Sequence, residues 1–113
     1  MPAPPLDGVK VLDCTQFMAG PYCTLILADM GADVVKIERP DGGDDTRRSA
    51  PTINGVSSQF LMINRNKRSL ALNLKAPEGK ESFRRLANGS DVVVQNFRPG
   101  TMEALGLGYQ DLR

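Results

Sequence analysis

Four short apolar runs alternate along the chain with segments of helical periodicity, and this alternation constrains the fold more than any other feature. Each run is bounded by glycine, proline or polar residues, which is typical of strands. We expect strands at 9–14, 32–38, 69–74 and 91–95. Because helical segments separate the runs, we predict an α/β, Rossmann-like fold with a mostly parallel sheet and flanking helices.

Proline and threonine mark the starts of predicted helices. Pro21 suits the first position of a helix because its missing N–H would be unpaired there, and Gly31 suits the C-cap. Thr101 is a candidate N-cap. Apolar residues surround most of the first helix, which predicts cover on more than one side. We expect helices at 21–30, 57–63 and 77–88, and helical turns from 101 and from 109.

Residues 41–56 lack periodicity and are rich in glycine, aspartate, arginine and serine. A stretch of this length without regular structure indicates a surface loop with a functional role. Asp44 and Asp45 supply too few ligands for a cation, so we expect a flexible acidic turn there. The next run, 69–74, alternates leucine with smaller or polar residues and is expected near an edge of the sheet.

Composition excludes several classes of function. The 113 residues suffice for a single domain, 1–113, and a net charge of +1 provides no general attraction for nucleic acid. The chain contains no histidine, so it can form no Ser-His-Asp or Cys-His nucleophile system, and we expect no metal site. Cys14 and Cys23 are expected to be small buried hydrophobic residues.

No apolar segment approaches the roughly 20 residues that a membrane-spanning helix needs. The N-terminus has no basic region followed by an apolar one, as a secretory signal would have. We therefore expect a cytoplasmic protein with no membrane partner.

Polar and cationic groups follow the predicted strands. Ala19-Gly20-Pro21 follows the first strand, Arg39 follows the second, and Asn96-Phe97-Arg98-Pro99-Gly100 follows the fourth. In open α/β sheets, ligands bind in a crevice outside the carboxyl ends of the strands. The sequence therefore predicts an anion-binding crevice at this edge.

Five motifs have an order and spacing that are informative together: PLDGVKVLD at 5–13, AGP at 19–21, LADMGADVVKIE at 27–38, NRNKRS at 64–69 and NFRPG at 96–100. Together they resemble the class III CoA-transferases, the CaiB/BaiF family, over nearly the whole chain. The resemblance implies a CoA-binding domain that is the incomplete N-terminal portion of a larger fold. It also implies that the full-length protein is a homodimer.

Similar enzymes move CoA between carboxylic acids through an aspartate that attacks the acyl-CoA thioester. The resemblance places that aspartate beyond the matched segment, so this chain alone is expected to lack the nucleophile and to be inactive. It implies an acyl-CoA and a small carboxylic acid as partners. Coenzyme A or acyl-CoA would be a substrate, and we expect no tightly bound cofactor.

The resemblance also assigns CoA contacts to four strand ends. Cationic side chains there would offset the charge of the diphosphate and the 3′-phosphate, and a leucine would pack on apolar ligand surface. The implied contact residues are Met18, Ala19, Arg39, Leu72, Asn73, Leu74, Lys75, Asn96, Phe97 and Arg98.

Two other functions stay open on the sequence. An α-methylacyl-CoA racemase shares the fold but exchanges a proton, and a stand-alone nucleotide-binding module would be non-catalytic. The motif 96–100 favours the transferase. The basic residues Arg65, Lys67 and Arg68 have no interleaved aromatic residues, so we expect structural or subunit contacts from them and no nucleic-acid binding.

Overall fold

Helices and strands alternate through residues 1–113, all of which the computed structural model describes. The strands are β1 (Lys10–Asp13), β2 (Asp33–Glu38), β3 (Thr52–Ile53), β4 (Val56–Ser57), β5 (Lys67–Ala71) and β6 (Val92–Val94). The helices are α1 (Ala19–Asp29), α2 (Ser58–Asn64), α3 (Pro77–Asn88), α4 (Thr101–Ala104) and α5 (Tyr109–Leu112), and a 3₁₀ helix spans Asp45–Arg48.

Four strands form one parallel sheet in the order β5-β2-β1-β6. Strand β1 is central and pairs Leu12 with Val35 of β2 on one side and with Val93 of β6 on the other. Strand β5 has β2 as its only neighbour. The predicted parallel α/β sheet is therefore confirmed, and so is the edge position of its third predicted strand.

Two apolar cores lie on opposite faces of the sheet, because successive residues of a strand point to opposite sides. Leu12 belongs to the core that packs against α3, where Phe83 is completely buried. Val11 belongs to the core that packs against α1 through Ala28. Helices thus cover both faces of the sheet, which leaves its carboxyl edge as the place where loops gather.

Helix α1 begins at Ala19, earlier than the predicted start at Pro21. Ala28 is buried against the sheet and Leu25 is buried beside Met62 and Ile63 of α2, but Tyr22 and Ile26 are 60% and 43% exposed. The helix is therefore covered by the sheet and by α2, as the expected cover on more than one side requires, and its remaining face is exposed within these 113 residues.

The third strand of the sheet lies earlier in the chain than the alternating leucines predict. Strand β5 ends at Ala71, and Leu72 and Leu74 follow it. The side chain of Asn73 accepts a hydrogen bond from the backbone N–H of Lys75 at 3.0 Å. This side-chain turn offers the backbone an alternative to the sheet, so the strand stops there.

Residues 41–56, expected to form one irregular loop, contain regular local structure. They contain the 3₁₀ helix and the β3–β4 hairpin. The expected flexible acidic turn is wrong for Asp44, which is buried and caps the 3₁₀ helix by accepting a hydrogen bond from Thr46 N at 3.0 Å. A short polar side chain before a helical turn satisfies a backbone N–H that has no partner within the turn.

Two smaller expectations are also corrected. The N-cap of α4 is Gly100, with φ +89°, and Thr101 is the first helical residue. Cys14 is buried as expected, but Cys23 is exposed on the outer side of α1.

No helix in the structure has the length and apolar character needed to cross a bilayer.

Candidate functional site

A cavity of about 450 Å³ opens at the carboxyl edge of the parallel sheet. Segments that follow four strands line it: Cys14 and Gln16 after β1, residues 39–41 after β2, residues 72–75 after β5, and Phe97 after β6. The segments meet because parallel strands end at the same edge. The cavity is therefore the crevice that the strand order predicts.

Some of the expected contact residues line this cavity and others do not. Met18 and Ala19 line a second, apolar cavity beside Tyr22 and Met62, between α1 and α2. Asn96 and Arg98 flank a cavity residue without lining the cavity themselves. The expected residues that the structure brings together around the cavity are Arg39, Leu72, Asn73, Leu74, Lys75 and Phe97.

Arg39 is oriented by the segment that follows it. Its Nε donates to the carbonyl oxygen of Asp41 at 3.0 Å, and its guanidinium also pairs with the carboxylate of Asp45. Arg48 pairs with the same carboxylate. A guanidinium has five N–H donors, so these contacts hold Arg39 at the cavity and leave donors for an anion.

Two further cations stand near the opening without a carboxylate partner. Lys75 and Arg98 are exposed, and neither makes an ion pair in the structure. The carbonyl oxygen of Arg98 accepts a hydrogen bond from Thr101 N at 3.1 Å, which ties this residue to the start of α4. Arg39 and Lys75 thus place two cations at the cavity, whose lining also includes the carboxylates of Glu38 and Asp41.

The inner wall of the cavity is apolar. Ile37 belongs to the core on the α3 side, and Leu72, Leu74, Phe97 and Leu105 pack against that core. Ligand pockets commonly combine an apolar wall with a few placed polar groups. The arrangement fits a ligand that joins an apolar portion to anionic groups.

Glu38 lines the cavity but is fully engaged in structural hydrogen bonds. Arg47 binds both of its carboxylate oxygens at 2.7 Å, Asp44 N donates to it at 2.9 Å, and Ser69 Oγ also donates to it. Burial raises the pKa of Glu38, but these hydrogen bonds outweigh it and lower the pKa to about 2. The carboxylate therefore stays ionised and is a poor proton donor.

Cys14 is the thiol at the cavity, and its environment disfavours the thiolate. Burial raises the pKa of Cys14 far above its ordinary value, and the charge of Asp13 adds to this effect. Because the thiolate is the nucleophilic form, Cys14 contributes an inert apolar surface.

Two buried ion pairs lie beneath the carboxyl edge, and sequence reasoning missed both. Lys36 Nζ lies 2.9 Å from Asp44 Oδ2, and Lys67 Nζ lies 3.1 Å from Asp13 Oδ2. Burial lowers the pKa of Lys67, while Asp13 opposes that shift. A signal was available, because a lysine in the middle of an apolar strand such as 33–38 must find a partner when buried.

Several cavity residues were also missed, among them Gln16, Asp41, Thr101 and Leu105. Gln16 and Asp41 follow strands β1 and β2, so the strand-end rule applied to every strand would have included them. Leu105 gives no such signal, because it depends on how α4 packs back onto the sheet.

Comparison with known proteins agrees with the family resemblance. The sequence model of CoA-transferase family III matches residues 6–113. Human succinyl-CoA:glutarate CoA-transferase is 50% identical over 109 residues, covering 96% of this chain and 25% of the relative. Succinyl-CoA:mesaconate CoA-transferase of Haloarcula marismortui is 52% identical over 113 residues, covering 96% of this chain and 28% of the relative.

A solved structure agrees as well. A CaiB/BaiF family protein from Brucella suis superposes with a TM-score of 0.91 at 40% identity, covering 98% of this chain and 30% of that protein. The chain thus spans between a quarter and a third of the length of these relatives, and it matches their N-terminal part. It belongs to CoA-transferase family III, the CaiB/BaiF family.

Proposed function

We propose that residues 1–113 form a single CoA-binding domain in an enzyme that transfers CoA from an acyl-CoA to a carboxylic acid. The observation that carries the proposal is the cavity at the carboxyl edge, where Arg39 and Lys75 stand over an apolar wall. CoA combines a diphosphate and a 3′-phosphate with an adenine ring and an apolar pantetheine chain. A cationic opening beside an apolar wall complements both parts.

In this proposal, the phosphates of CoA contact Arg39, Lys75 and Arg98. Charge-assisted hydrogen bonds to phosphate are roughly twice as strong as neutral ones, and a guanidinium can bind two oxygens at once. Leu72 and Phe97 would contact the adenine ring or the pantetheine chain.

The two relatives described above are named for succinyl-CoA as donor and for different carboxylic acids as acceptors. We propose an acyl-CoA donor and a small carboxylic acid acceptor for the protein that contains this chain. Succinyl-CoA is the donor to assay first.

We also propose that the attacking carboxylate lies outside residues 1–113, so that this chain alone does not transfer CoA. Two of the three carboxylates at or beside the cavity are engaged, since Glu38 is held by Arg47 and Asp45 is shared by Arg39 and Arg48. The third, Asp41, makes no ion pair, and its exclusion as the nucleophile rests on the family resemblance. A nucleophile needs a carboxylate that can leave its partners and reach the thioester.

A homodimer is part of the proposal. Tyr22 and Ile26 on α1, with Leu61 and Met62 on α2, form exposed apolar surface of the kind that protein interfaces cover.

Titration calorimetry of the full-length protein with CoA tests the binding site. Replacement of Arg39 by alanine is expected to weaken CoA binding about 10- to 100-fold, because it removes hydrogen bonds between charged groups. Arg85→Ala is the matched control, since Arg85 is an exposed arginine paired with Glu81 on α3 and lies away from the cavity. Equal affinities for the two variants would contradict the proposal.

A further inference from the structure

We infer that Asn96 is a positioning residue: it holds the β1–α1 loop, residues 14–18, in the conformation that forms one wall of the cavity. This inference rests on the proposed CoA site and assigns Asn96 a different role from the direct ligand contact that the sequence suggested.

The side-chain amide of Asn96 is engaged on both ends by the backbone of a single loop residue. Its Oδ1 accepts a hydrogen bond from Gln16 N at 2.9 Å, and its Nδ2 donates to the carbonyl oxygen of Gln16 at 2.8 Å. The two residues are far apart in sequence, and one follows β1 while the other follows β6. The Asn96 side chain therefore takes the place that the backbone of a neighbouring strand would have beside Gln16. It continues the pairing of β1 with β6 beyond the last strand residue.

Asn96 sits between two residues that line the cavity, although it does not line the cavity itself. Gln16 is on its hydrogen-bonded side and Phe97 follows it in the chain, and both are cavity residues. The contact thus links two walls of the site. A residue in this place affects a ligand through the walls that it joins.

The residue before Gln16 is already fixed by other groups. The backbone N–H of Thr15 donates to Asp13 Oδ1 at 2.9 Å, and its carbonyl oxygen accepts from Lys36 Nζ at 2.9 Å. Thr15 is completely buried. The loop is therefore anchored on its β1 side, and Asn96 supplies the next anchor along the chain.

The residue after Gln16 adopts a backbone conformation that needs support. Phe17 has φ +69°, which is uncommon for a residue other than glycine, and its side chain is 55% exposed. Such conformations persist only where surrounding contacts determine them, and they concentrate at functional sites. The N–H of Phe17 itself donates to Asp44 Oδ1 at 3.4 Å, and the hydrogen bonds from Asn96 hold the residue before it.

The start of α1 also packs closely on this anchor. A Cβ atom added to Gly20 would lie 3.0 Å from Cγ of Asn96 and 2.4 Å from Cβ of Thr15. The loop and the first turn of α1 therefore leave little room for another loop conformation while Asn96 is in place. Without Asn96, the Gln16 backbone loses both partners and the loop gains alternatives.

A loop that populates other conformations lowers the apparent affinity by the fraction that remains binding-competent. Loss of two net hydrogen bonds of ordinary strength lowers the ratio of competent to other loop conformations about 30-fold, which allows a loss of apparent affinity of about tenfold. Asn96→Ala is therefore expected to weaken CoA binding about tenfold without the loss of any direct ligand contact.

The test combines hydrogen–deuterium exchange of the ligand-free protein with calorimetry against CoA. In full-length Asn96→Ala, the amides of residues 14–18 are expected to exchange faster than in the wild type, with CoA affinity reduced about tenfold. Asn96→Asp keeps an acceptor for Gln16 N but sets a carboxylate oxygen against the Gln16 carbonyl oxygen, so its exchange should also be faster than in the wild type. Asn88→Ala is the matched control, because Asn88 is exposed at the far end of α3 and should change neither measurement.

The exchange arm separates positioning from direct contact. Weaker CoA binding with unchanged exchange at residues 14–18 would overturn the inference and restore a direct contact for Asn96. Faster exchange with unchanged affinity would overturn it as well. If the wild-type protein does not bind CoA, the proposed function is overturned. The exchange data bear only on the role of Asn96.

Discussion

Lys36 Nζ lies 2.9 Å from Asp44 Oδ2, and the two side chains are 1% and 0% exposed. This buried pair joins β2 to the 3₁₀ helix, and Lys36 also donates to the carbonyl oxygen of Thr15. One ammonium group thus connects the segments that follow β1 and β2 at the edge where the cavity lies. Loss of either partner would leave a buried charge without compensation.

Replacement of Lys36 by methionine is expected to lower the free energy of unfolding by about 3–5 kcal/mol, because it leaves the Asp44 carboxylate buried and unpaired. Urea denaturation measures this. Arg68→Met is the control, since it breaks the exposed pair with Asp33 and should cost less than about 1 kcal/mol. Similar losses in both variants would contradict the structural role of the Lys36 pair.

Stability is expected to fall as the pH drops through the range from about 4.5 to about 2, with Glu38 as one cause. The pKa of Glu38 is lowered from 4.5 to about 2 in the folded protein. Ionised Glu38 therefore stabilises the folded state above the pKa of the unfolded chain, and this stabilisation is lost as Glu38 becomes protonated. Asp44 acts in the same direction, because hydrogen bonds from Lys36 and Thr46 outweigh the effect of burial and lower its pKa.

Urea denaturation of Glu38→Gln at several pH values in this range measures the effect. The variant should be less stable near neutral pH and should lose less stability on acidification than the wild type. Glu81→Gln, which changes an exposed carboxylate on α3, should retain the wild-type pH dependence. A decline in Glu38→Gln as steep as in the wild type would argue against the hydrogen-bonded state of this carboxylate.

Gly79→Ala is expected to destabilise the protein and to disturb residues 73–75, which line the cavity. A Cβ at this position would lie 1.9 Å from the carbonyl oxygen of Asn73, and backbone cannot move aside as a flexible side chain can. The cost of such overpacking is about 1–3 kcal/mol or more.

Gly89→Ala is the matched glycine control for thermal unfolding. The added Cβ would lie 3.8 Å from its nearest neighbour, which is an ordinary contact, and Gly89 has φ −92°. The change in unfolding free energy should stay within about 0.5 kcal/mol. Equal effects at both glycines would show that α3 does not approach Asn73 as described.

Binding of CoA is expected to weaken with rising ionic strength, because the cations at the cavity are exposed and screened by salt. Arg39→Ala should show a smaller dependence on salt than the wild type, since one phosphate contact is missing. Arg85→Ala should keep the wild-type dependence. Calorimetry from low to high NaCl measures this, and identical slopes for all three proteins would remove Arg39 from the phosphate site.

The two cysteines are expected to differ in their reaction with a thiol reagent. Cys23 is exposed, whereas Cys14 is buried and its pKa is raised by burial and by Asp13. The native protein should therefore show one reactive thiol from this chain, and the unfolded protein two. Cys23→Ser should abolish the native reaction, and a persistent native reaction in that variant would show that Cys14 is accessible.

Helix α3 shows how much of the fold could be predicted locally. Pro77 and the apolar stripe that includes Phe83 predicted 77–88, and the structure has Pro77–Asn88. Strand β5 shows the opposite case. Its leucines alternate over 70–74, yet the strand is Lys67–Ala71, because burial of Lys67 against Asp13 and the Asn73 turn decide where pairing begins and ends.

Some residues of the candidate site could likewise be placed from the sequence, and others could not. Arg39 and Phe97 could be placed at one edge from the order of strands and helices alone, since parallel strands bring their carboxyl ends together. Met18 could not be excluded from that cavity by sequence, because its direction depends on how the β1–α1 loop turns. Asn96 was recognised as part of the site, but its bond to the Gln16 backbone became evident only when both loops were in place.

Sequence alone determined the class of fold, the family and the edge at which the candidate site lies, because periodicity, caps and motifs are local properties of the chain. Only the tertiary structure decided which side chains face the cavity and which anchor it. Those choices depend on contacts between residues far apart in sequence, such as Lys36 with Asp44 and Asn96 with Gln16. Their energies come from burial and from paired hydrogen bonds, which exist only once the sheet has brought the strand ends together.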